Sequence, residues 1–466
     1  MVWESPQDGS GTAVMARVHD AAGVPRGPEF RVNTETAGNQ GYPAAAMDGA
    51  GNFMVVWSGG GIFGQRFNAS AVPQGTEFPV RSTTVGTGTN PAVAAGAGGD
   101  FVVVWQAQGD GGGYGVFGRR FDASGAPQGP EFQVNTYTTG YQWRPSVSLA
   151  PGGGFVVVWE GAEQDGSATG IFGQRFDAAG APSGTEFQVN TYTFQDQRDP
   201  KVAYGPNGGF VVVWDRFGAI GLGVFGRRYD AAGVPQGAEF LVNAPAVTDQ
   251  YGADIAGDPS RGYLVAWTGV GTEGDTSGRG VFGRRLDPGG VPLGSSNFVV
   301  NAFTTSDQWR PSVVASAHGG FAATWESFGH DGSVAGVYGS VECARLHAVS
   351  PCRLVDTRDP PAAPLAANTS RTFPVAGRCG IPADARAVAL NVVAVNPSEP
   401  GNLRLYPAGT AAPLASALNF AAGHSRANNA MVMLGGNGQL AVRCDMAPGA
   451  TGSTHLVLDV SGYFTR

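Results

Sequence analysis

One pattern recurs seven times along residues 1–341 and constrains the fold more than any other feature of the chain. Each copy contains an apolar run that ends in tryptophan, and most copies continue with a Phe-Gly-x-Arg-Phe-Asp run and a short Glu-Phe-x-Val-Asn run. Consecutive tryptophans of these apolar runs lie 48 to 58 residues apart, and they are Trp3, Trp57, Trp105, Trp159, Trp214, Trp267 and Trp325. A period of about 50 residues with several strands per copy is typical of a β-propeller.

Each repeat predicts four strands, A to D in chain order. In the third repeat, strand B is the apolar run Phe101 to Trp105, strand C is Val116 to Phe121 and strand D is Glu131 to Asn135. Strand B does not alternate, so we expect it to be buried on both faces, as a strand between neighbouring blades would be. Repeat 1 lacks strand A and repeat 7 lacks strand D, and residues 345–349 are predicted to supply that outer strand. Seven blades are predicted, with six blades plus an overlap as the alternative.

The pattern changes after Cys343. Residues 344–466 contain no tryptophan and no repeat, but strand-like runs separated by Gly, Pro and Asn predict a second all-β domain, a β-sandwich. The predicted fold is therefore all-β, a seven-bladed β-propeller over residues 1–343 followed by a sandwich over 344–466. All the cysteines lie after the repeats, and without a Cys-x-x-Cys pair they predict two disulfides, with three pairings open, among Cys343, Cys352, Cys379 and Cys444.

Arginine and glutamate recur at fixed places in strands C and D. Arg66, Arg120, Arg175 and Arg228 are each followed eleven residues later by a glutamate, namely Glu77, Glu131, Glu186 and Glu239. Because a C–D hairpin would place the two residues opposite each other, the spacing predicts cross-strand ion pairs that set the hairpin register. A ring of anion-binding arginines is the functional alternative.

Two parts of the chain resemble repeats and domains of exported bacterial proteins. The repeat, in the form Phe155-Val-Val-Val-Trp159, Gly170-Ile-Phe-Gly-Gln-Arg-Phe-Asp177 and Glu186-Phe-Gln-Val-Asn190, resembles one found in large exported bacterial proteins. The tail, with Ser350-Pro-Cys-Arg-Leu-Val-Asp-Thr-Arg358 and Asp459-Val-Ser-Gly-Tyr-Phe464, resembles a domain attached to many secreted bacterial proteins. The resemblance implies export and a surface or matrix role, and it implies no reaction and no catalytic residues.

The loops between strands D and A are the strongest candidates for a binding site. Antiparallel strands place the B–C and D–A loops on one face, and these loops vary between repeats while the A–B and C–D turns do not; function is usually carried by the variable loops of a rigid scaffold. Aromatic rings beside Gln and Arg suit a sugar, whose C–H faces stack and whose hydroxyls take the polar groups. The predicted ligand-binding residues are Gln142, Trp143, Arg144, Gln197, Arg198, Gln250, Tyr251, Gln308, Trp309 and Arg310. Alternatively, each Gln binds neighbouring loop backbone and joins the blades.

The B–C loops carry carboxylates. Asp8, Asp165 and Asp331 open aligned Asp-Gly-Ser segments, which either hold Ca²⁺ or form solvated turns. Glu160, Asp215 and Glu326 directly follow a strand B tryptophan, and with His330 they are the candidates for acid and base if the protein hydrolyses its ligand. No cofactor is required by the sequence, and Ca²⁺ is the candidate metal.

The sequence predicts a secreted or surface-associated binding protein whose ligand is a glycan or another extracellular molecule. A Ca²⁺-assisted hydrolase of an ester, phosphoester or glycoside is the alternative enzyme, and a structural extracellular repeat protein is the second alternative. A net charge of −8 argues against nucleic acid as a partner, and the absence of an 18-residue apolar run predicts no transmembrane helix. Met1 opens directly on a strand motif, so we expect the chain to lack its natural N-terminus and any signal peptide.

Overall fold

The computed structural model describes residues 1–6, 9, 11–21, 23–82, 88–218, 221–244, 248–258, 262–270, 278–315, 320–330, 335–341, 345–361, 363–383 and 385–465. The chain divides into two compact units, Met1–Val341 and Glu342–Arg466. All regular structure within the described ranges is β-strand, which confirms the all-β prediction. None of the described residues form a helix with the length and apolar character needed to cross a membrane.

The first unit consists of successive antiparallel sheets, here called blades 1 to 7. Blade 1 has β1 (Val2–Ser5), β2 (Ala13–Ala16) and β3 (Phe30–Arg31). Blade 2 has β4 (Gly41–Met47), β5 (Phe53–Ser58), β6 (Ile62–Phe67) and β7 (Phe78–Pro79). Blade 3 has β8 (Gly88–Ala95), β9 (Phe101–Gln108), β10 (Tyr114–Phe121) and β11 (Phe132–Gln133). Blade 4 has β12 (Gln142–Leu149), β13 (Phe155–Ala162), β14 (Thr169–Phe176) and β15 (Phe187–Gln188).

The remaining blades repeat the same order. Blade 5 has β16 (Gln197–Tyr204), β17 (Phe210–Gly218), β18 (Gly221–Tyr229) and β19 (Phe240–Leu241). Blade 6 has β20 (Gln250–Asp258), β21 (Gly262–Val270), β22 (Arg279–Leu286) and β23 (Phe298–Val299). Blade 7 has β24 (Gln308–Ala315), β25 (Phe321–Ser327) and β26 (Gly336–Val341). Within the described residues, blade 1 has no strand A and blade 7 no strand D, as the repeat pattern predicts.

Neighbouring blades meet through their first strands. Strand A of each of blades 2 to 6 packs against strand A of the next blade, and strand B also packs against that next strand A. In a radial array, the strands nearest the axis approach each other most closely, so strand A is the inner strand. The two ends of the unit also meet, because a Cβ added at Gly339 of blade 7 would lie 2.8 Å from Met1 Cε. This arrangement is that of a β-propeller.

The strand B runs form the cores between blades. Every residue from Phe53 to Trp57 is buried, and the same holds for the strand B runs up to the tryptophans of blades 3 to 6. Val102 and Val104 of blade 3 pack against Val157 and Trp159 of blade 4, so one strand contributes to the cores on both its sides. The prediction of two buried faces is confirmed for these blades.

The predicted ion pairs within the C–D hairpins are wrong. The Arg66 guanidinium donates to the carbonyls of Ala123 and Ser124 in the C–D turn of the next blade. Glu77 accepts from the Thr34 backbone N–H of the preceding blade at 2.7 Å. The arginine contact recurs at other boundaries with Arg120 and Arg175. The glutamate contact recurs with Glu131 and Glu186. The residues bind across blade boundaries because both side chains extend toward the neighbouring blades.

A glycine in each C–D turn makes this arginine contact possible. Gly125 has φ +82°, and a Cβ at this position would lie 2.5 Å from Cδ of Arg66. Gly180 has the same relation to Arg120, with φ +83° and a distance of 2.8 Å. Left-handed backbone and close approach therefore both favour glycine at this turn position.

The second unit contains two further sheets. Its strands are β27 (Arg345–Asp356), β28 (Leu365–Ala366), β29 (Thr369–Pro374), β30 (Ala387–Val395), β31 (Gly401–Pro407), β32 (Leu418–Phe420), β33 (Arg426–Met433), β34 (Gln439–Met446) and β35 (Ser453–Thr465). One sheet has the order β27-β35-β30-β33, with β28 also paired to β35, and the other has the order β29-β34-β31-β32. Leu390 and Leu458 of the first sheet share one core with Leu403 and Val442 of the second. Because β27 pairs with β35, the prediction that residues 345–349 complete blade 7 is wrong.

The disulfide prediction is correct for one pair. Cys352 is bonded to Cys379. Cys444 is a free, fully buried thiol in the core between the two sheets, so its predicted disulfide is wrong. Burial raises the pKa of the Cys444 thiol to about 11, which keeps it protonated and unreactive. Cys343 lies outside the described residues.

Candidate functional site

The D–A loops enter strand A through a β-bulge with an unusual backbone. In blade 4 the register of β12 against β13 shifts between Trp143 and Ser146, and Arg144 at the shift has φ +50°. The five other strands A carry the same feature, with positive φ at Tyr42, Asn90, Asp199, Gly252 and Arg310. A bulge turns one backbone N–H away from the ladder and redirects the neighbouring side chains. Each of these loops therefore ends in a strand with one backbone N–H that is free to bind a group outside its own sheet.

The glutamines predicted to bind ligand are buried at the start of these strands. Gln142 has 0% of its surface exposed; its amide donates to the Thr139 carbonyl at 3.0 Å, and its Oε1 accepts from Asn135 at 3.1 Å. Gln197 and Gln308 repeat both contacts, while Gln250 Oε1 instead accepts from the strand B tryptophan, Trp267, at 2.7 Å. These side chains hold the loops in place, as the alternative interpretation of the glutamines expects, and their contact with a ligand stays a prediction.

The carboxylates that follow the strand B tryptophans bind the bulge of the next blade. Glu160 accepts from the Asp199 N–H at 2.6 Å, and Asp215 accepts from the Gly252 N–H at 2.7 Å. At other boundaries, Glu4, Gln106 and Thr268 accept from the equivalent N–H groups of Tyr42, Arg144 and Arg310. We call this contact the inner joint. It recurs with carboxylate, amide or hydroxyl oxygen, so it requires an acceptor and not a charge.

Burial raises the pKa of two joint carboxylates. Glu160 is 1% exposed, and desolvation raises its pKa although Arg144 and the Asp199 N–H act against the rise. Asp215 is 4% exposed, and desolvation raises its pKa well above the ordinary range, with the charges of Asp199 and Glu160 adding to the effect. Raised carboxylate pKa values occur at catalytic acids, but they also follow from structural burial alone.

The contacts of Glu160 limit what it can do chemically. Its Oε1 accepts from Asp199 N and from Arg144 Nη1 at 3.1 Å, and its Oε2 accepts from Trp143 Nε1. Arg144 also forms an ion pair with the Asp199 carboxylate at 3.1 Å. Both oxygens of Glu160 are thus occupied by protein donors, which positions Trp143 and Arg144 on the inner rim of blade 4.

An open pocket of about 550 Å³ lies above these residues. Its lining comes from strands A, B and C and a D–A loop of blades 3, 4 and 5, and consists of Asn90, Gln106, Tyr114, Tyr141, Trp143, Arg144, Glu160, Thr169 and Arg198. Three aromatic rings form a continuous wall, with centroids 6.1 Å apart for Tyr114 and Tyr141 and 5.5 Å apart for Tyr141 and Trp143. Tyr141 is 49% exposed, so a ligand can reach its face. The predicted residues Trp143, Arg144 and Arg198 meet here.

Blade 7 repeats the sequence of the blade 4 rim, but its residues do not line this pocket. Trp309 Nε1 donates to Glu326 Oε2 at 2.7 Å, and Arg310 donates to Glu326 Oε1 at 3.2 Å. Phe328 packs edge-on to Trp309 at 5.0 Å. The exposed His330, a predicted base, stacks on Phe303 at 4.0 Å. The structure therefore places Trp309 and Arg310 in blade 7, apart from the group that lines the blade 4 pocket.

The other predicted residues are placed separately. Arg198 forms an ion pair with Asp196 beside the pocket, and Tyr251 is half-buried in strand A of blade 6. Asp165 accepts from the Ser167 N–H at 3.1 Å and from the Asn190 amide at 3.2 Å, as a turn residue does. Asp8 and Asp331 lie outside the described residues. Among the residues that the structure describes, no group of three or more His, Cys, Asp or Glu side chains could hold a metal ion.

Sequence reasoning missed five residues of the pocket, namely Asn90, Gln106, Tyr114, Tyr141 and Thr169. Tyr141 directly precedes Gln142, so its place in the variable loop was a visible signal. Tyr114 is the first residue of strand C, and Asn90 is the bulge residue of the blade 3 strand A, so their convergence depends on how blades pack. Local sequence carries no signal for that convergence.

The fold and the pocket define a class of protein: an all-β propeller with an aromatic, polar-rimmed pocket on its variable-loop face. No family model matches this chain, and no curated protein matches it.

Solved structures with some similarity include a protein of unknown function from Dyadobacter fermentans, with 13% identity, 65% of this chain and 94% of that chain covered, and a TM-score of 0.47. An α-L-arabinanase from Penicillium chrysogenum complexed with arabinobiose is 12% identical, with 65% of this chain and 93% of that chain covered and a TM-score of 0.43. An exo-β-1,3-galactanase from Phanerochaete chrysosporium with galactose is 10% identical, with 95% of this chain and 98% of that chain covered and a TM-score of 0.35. Because these TM-scores are below 0.5, the fold assignment rests on the sheets and joints described above.

Proposed function

We propose that this protein is a secreted or surface-associated glycan-binding protein, and that the blade 4 pocket holds one or two sugar units. The observation that carries the proposal is the wall of Tyr114, Tyr141 and Trp143 in an open pocket. Aromatic faces stack on the C–H faces of pyranose and furanose rings, and such contacts need no charge. The tail unit is proposed to be an accessory adhesion module.

The polar rim favours a neutral sugar. Arg144 is balanced by Glu160 and Asp199, and Arg198 is balanced by Asp196, so the rim offers hydrogen bonds without a free positive charge. Asn90 and Thr169 add an amide and a hydroxyl. Groups of this kind are suited to sugar hydroxyls, which donate and accept.

The test is binding to a glycan array, followed by calorimetric titration of the glycans that bind. Tyr141→Ala is expected to weaken binding about tenfold, since an aromatic contact contributes about 0.5–1.5 kcal/mol beyond its buried area. Phe194→Ala is the matched control, because Phe194 is 66% exposed in the same loop of the next blade and does not line the pocket. If Trp309→Ala weakens binding and Tyr141→Ala does not, the proposed pocket is the wrong one.

Glycan hydrolysis is the second candidate, and it is favoured by one observation: Glu160 lines the pocket with a raised pKa. A protonated carboxyl can donate to a leaving oxygen. The occupied oxygens of Glu160 favour binding over hydrolysis. Reducing-sugar release from the bound glycan, lost in Glu160→Gln while binding remains, would instead support the enzyme.

A further inference from the structure

Arginine side chains of strand C cross three blade boundaries in the same way. The Arg119 guanidinium of blade 3 donates to the Val80 carbonyl of blade 2 at 2.8 Å, and its carbon lies 5.7 Å from the centroid of the Phe121 ring. The contact with a carbonyl of the preceding blade recurs with Arg227 and Arg284. Arg284 also donates to the Gly294 carbonyl in the turn of its own blade at 2.6 Å. Together, these contacts define a guanidinium site that consists of a carbonyl from each blade and an aromatic ring.

The boundary between blades 1 and 2 has the same groups but no crossing arginine. Gln65 takes the place of the arginine, and its amide donates within its own blade, to the carbonyls of Arg66 at 2.9 Å and Gly75 at 3.2 Å. A cavity of about 470 Å³ lies beside Gln65. The counterparts of the two carbonyl groups and the ring all line it, namely Val32, Gly75 and Phe67. Within the described ranges, the Val32 carbonyl has no hydrogen-bond donor.

A carboxylate oxygen at this cavity is also available to a ligand. Glu77 is half-buried in the cavity lining, and its Oε2 accepts from the Thr34 backbone N–H at 2.7 Å and from the Thr34 hydroxyl at 2.8 Å. Its Oε1 has no donor among the residues that the structure describes. Because hydrogen bonds from a cation to a carboxylate are stronger than neutral ones, Glu77 favours a positively charged ligand.

Blade 4 shows that the glutamine alone does not create this arrangement. Gln174 takes the place of Gln65 there and makes the same two contacts within its own blade. At that boundary, however, Glu186 has both oxygens occupied, Oε2 by Thr136 and Oε1 by Gln164. The available carboxylate therefore distinguishes the boundary between blades 1 and 2.

We propose that the cavity between blades 1 and 2 binds an alkylguanidinium group, carried by a free small molecule or by an arginine side chain of another molecule. The group donates to the Val32 carbonyl and to Glu77 Oε1, and it packs against the Phe67 ring. A guanidinium presents several N–H donors in fixed directions, so one group serves the carbonyl and the carboxylate together. An aromatic ring adds a favourable contact with the cation. The exposed Arg31 also lines the cavity, and its charge opposes the ligand.

The probes are n-butylguanidinium chloride and the capped peptide acetyl-Gly-Arg-Gly-amide, each titrated against the full chain by calorimetry at low ionic strength. We expect saturable 1:1 binding of at least one probe. n-Pentylammonium has a similar length and the same charge, and it should bind at least about tenfold more weakly, because an ammonium is more strongly hydrated and lacks the planar fork. A peptide that binds as tightly as n-butylguanidinium, or more tightly, identifies an arginine side chain as the ligand. A weaker peptide identifies a free small molecule.

Three variants test the residues of the site. Gln65→Arg is expected to abolish binding, because the new side chain places its own guanidinium in the cavity. Glu77→Gln keeps an oxygen for Thr34 and should weaken binding about three- to tenfold, since a hydrogen bond to a charged group is stronger than a neutral one. Arg31→Gln should strengthen binding about two- to fivefold, because it removes a like charge beside the ligand.

Gln174→Arg is the matched control for Gln65→Arg. It makes the same substitution at the equivalent buried place in blade 4, and it should leave binding unchanged. Tryptophan fluorescence during urea unfolding checks that each variant is folded.

Three results would overturn the proposal: no saturable binding of either probe, equal binding of n-pentylammonium, or unchanged binding to folded Gln65→Arg. Loss of binding in Gln174→Arg equal to that in Gln65→Arg would also overturn it, because the effect would then not belong to this cavity. None of these measurements depends on glycan binding, so the guanidinium site and the blade 4 pocket are tested separately.

Discussion

Blades 4 and 7 begin with the same six residues, Gln-Trp-Arg-Pro-Ser-Val, yet they form different surfaces. In blade 4, the following strand A buries Glu160, and blades 3 to 5 together build an aromatic pocket above it. In blade 7, no such strand follows within the described residues, and Glu326 with the same two side-chain partners stays partly exposed. The comparison shows that a repeat residue takes its role from the next blade as much as from its own.

The largest difference is expected for the strand B tryptophans. Trp159→Ala should lower the free energy of unfolding by about 3–5 kcal/mol, because it leaves a cavity in a fully buried core. Trp3→Ala should cost about 1 kcal/mol, because Trp3 in β1 of blade 1 is only partly buried. Urea unfolding followed by tryptophan fluorescence reports the propeller alone, since the tail has no tryptophan. Equal losses for the two variants would contradict the difference between the boundaries.

Replacing a joint carboxylate should also lower the free energy of unfolding more in blade 4 than in blade 7. Glu160→Ala leaves the Asp199 N–H and the Trp143 Nε1–H without their acceptor in a buried place, which should cost about 1–3 kcal/mol. Glu326→Ala removes a partly exposed acceptor and should cost less than about 1 kcal/mol. The same urea experiment measures both variants, and a larger loss for Glu326→Ala would refute the inner joint as the reason for burial.

The sequence predicts the fold well because period and strand burial are local properties. Trp159 lies at the end of an all-apolar run, and a strand of that kind needs cover on both faces whatever its neighbours are. The role of Arg66 was predicted wrongly because its partner, the turn around Gly125, lies in the next blade at a distance that only the packing of blades sets. The predicted residues Trp143, Arg144 and Arg198 line one pocket, but the sequence could not show that Glu160 binds the bulge N–H of the next blade, because that contact leaves no mark in the sequence.

A pH series sharpens the comparison at the inner joint of blade 5. Since the pKa of Asp215 is raised in the folded state, folding stabilises its protonated form, and this contribution is lost as the pH rises from about 4 through the raised pKa. Asp215→Asn keeps an oxygen that can accept from the Gly252 N–H but does not titrate. We expect the variant to match the wild type near pH 4 and to exceed its stability at higher pH by about 1.4 kcal/mol for each pH unit between the unfolded and folded pKa values.

Urea midpoints measured at several pH values give this difference directly. Thr268→Ala is a suitable control, because its hydroxyl makes the same joint in blade 6 and does not titrate. Its stability relative to the wild type should be independent of pH. A stability difference between Asp215→Asn and the wild type that is constant with pH would show that burial does not raise this pKa.

The smallest effect is expected at the outer part of the boundary between blades 1 and 2. In blades 3, 5 and 6, an arginine of strand C crosses to a carbonyl of the preceding blade, as Arg119 does to Val80 at 2.8 Å. Gln65 takes this place in blade 2 and binds carbonyls of its own blade, at Arg66 and Gly75. A cavity of about 470 Å³ remains there, lined by Gln65 and Val32 among others. Gln65 is therefore one of the side chains that border this cavity.

Gln65→Arg should extend into this cavity and donate to the Val32 carbonyl, which would raise the free energy of unfolding by about 0.5–1.5 kcal/mol. Gln74→Arg is the matched control, because Gln74 is exposed in the turn of the same blade and does not line this cavity. A rise in the urea midpoint for Gln65→Arg alone would show that the strength of a boundary is set by single side chains that cross it. If neither variant raises the midpoint, the crossing arginines of blades 3, 5 and 6 contribute no net stability, and the inner joints with the strand B cores account for the cohesion of the ring.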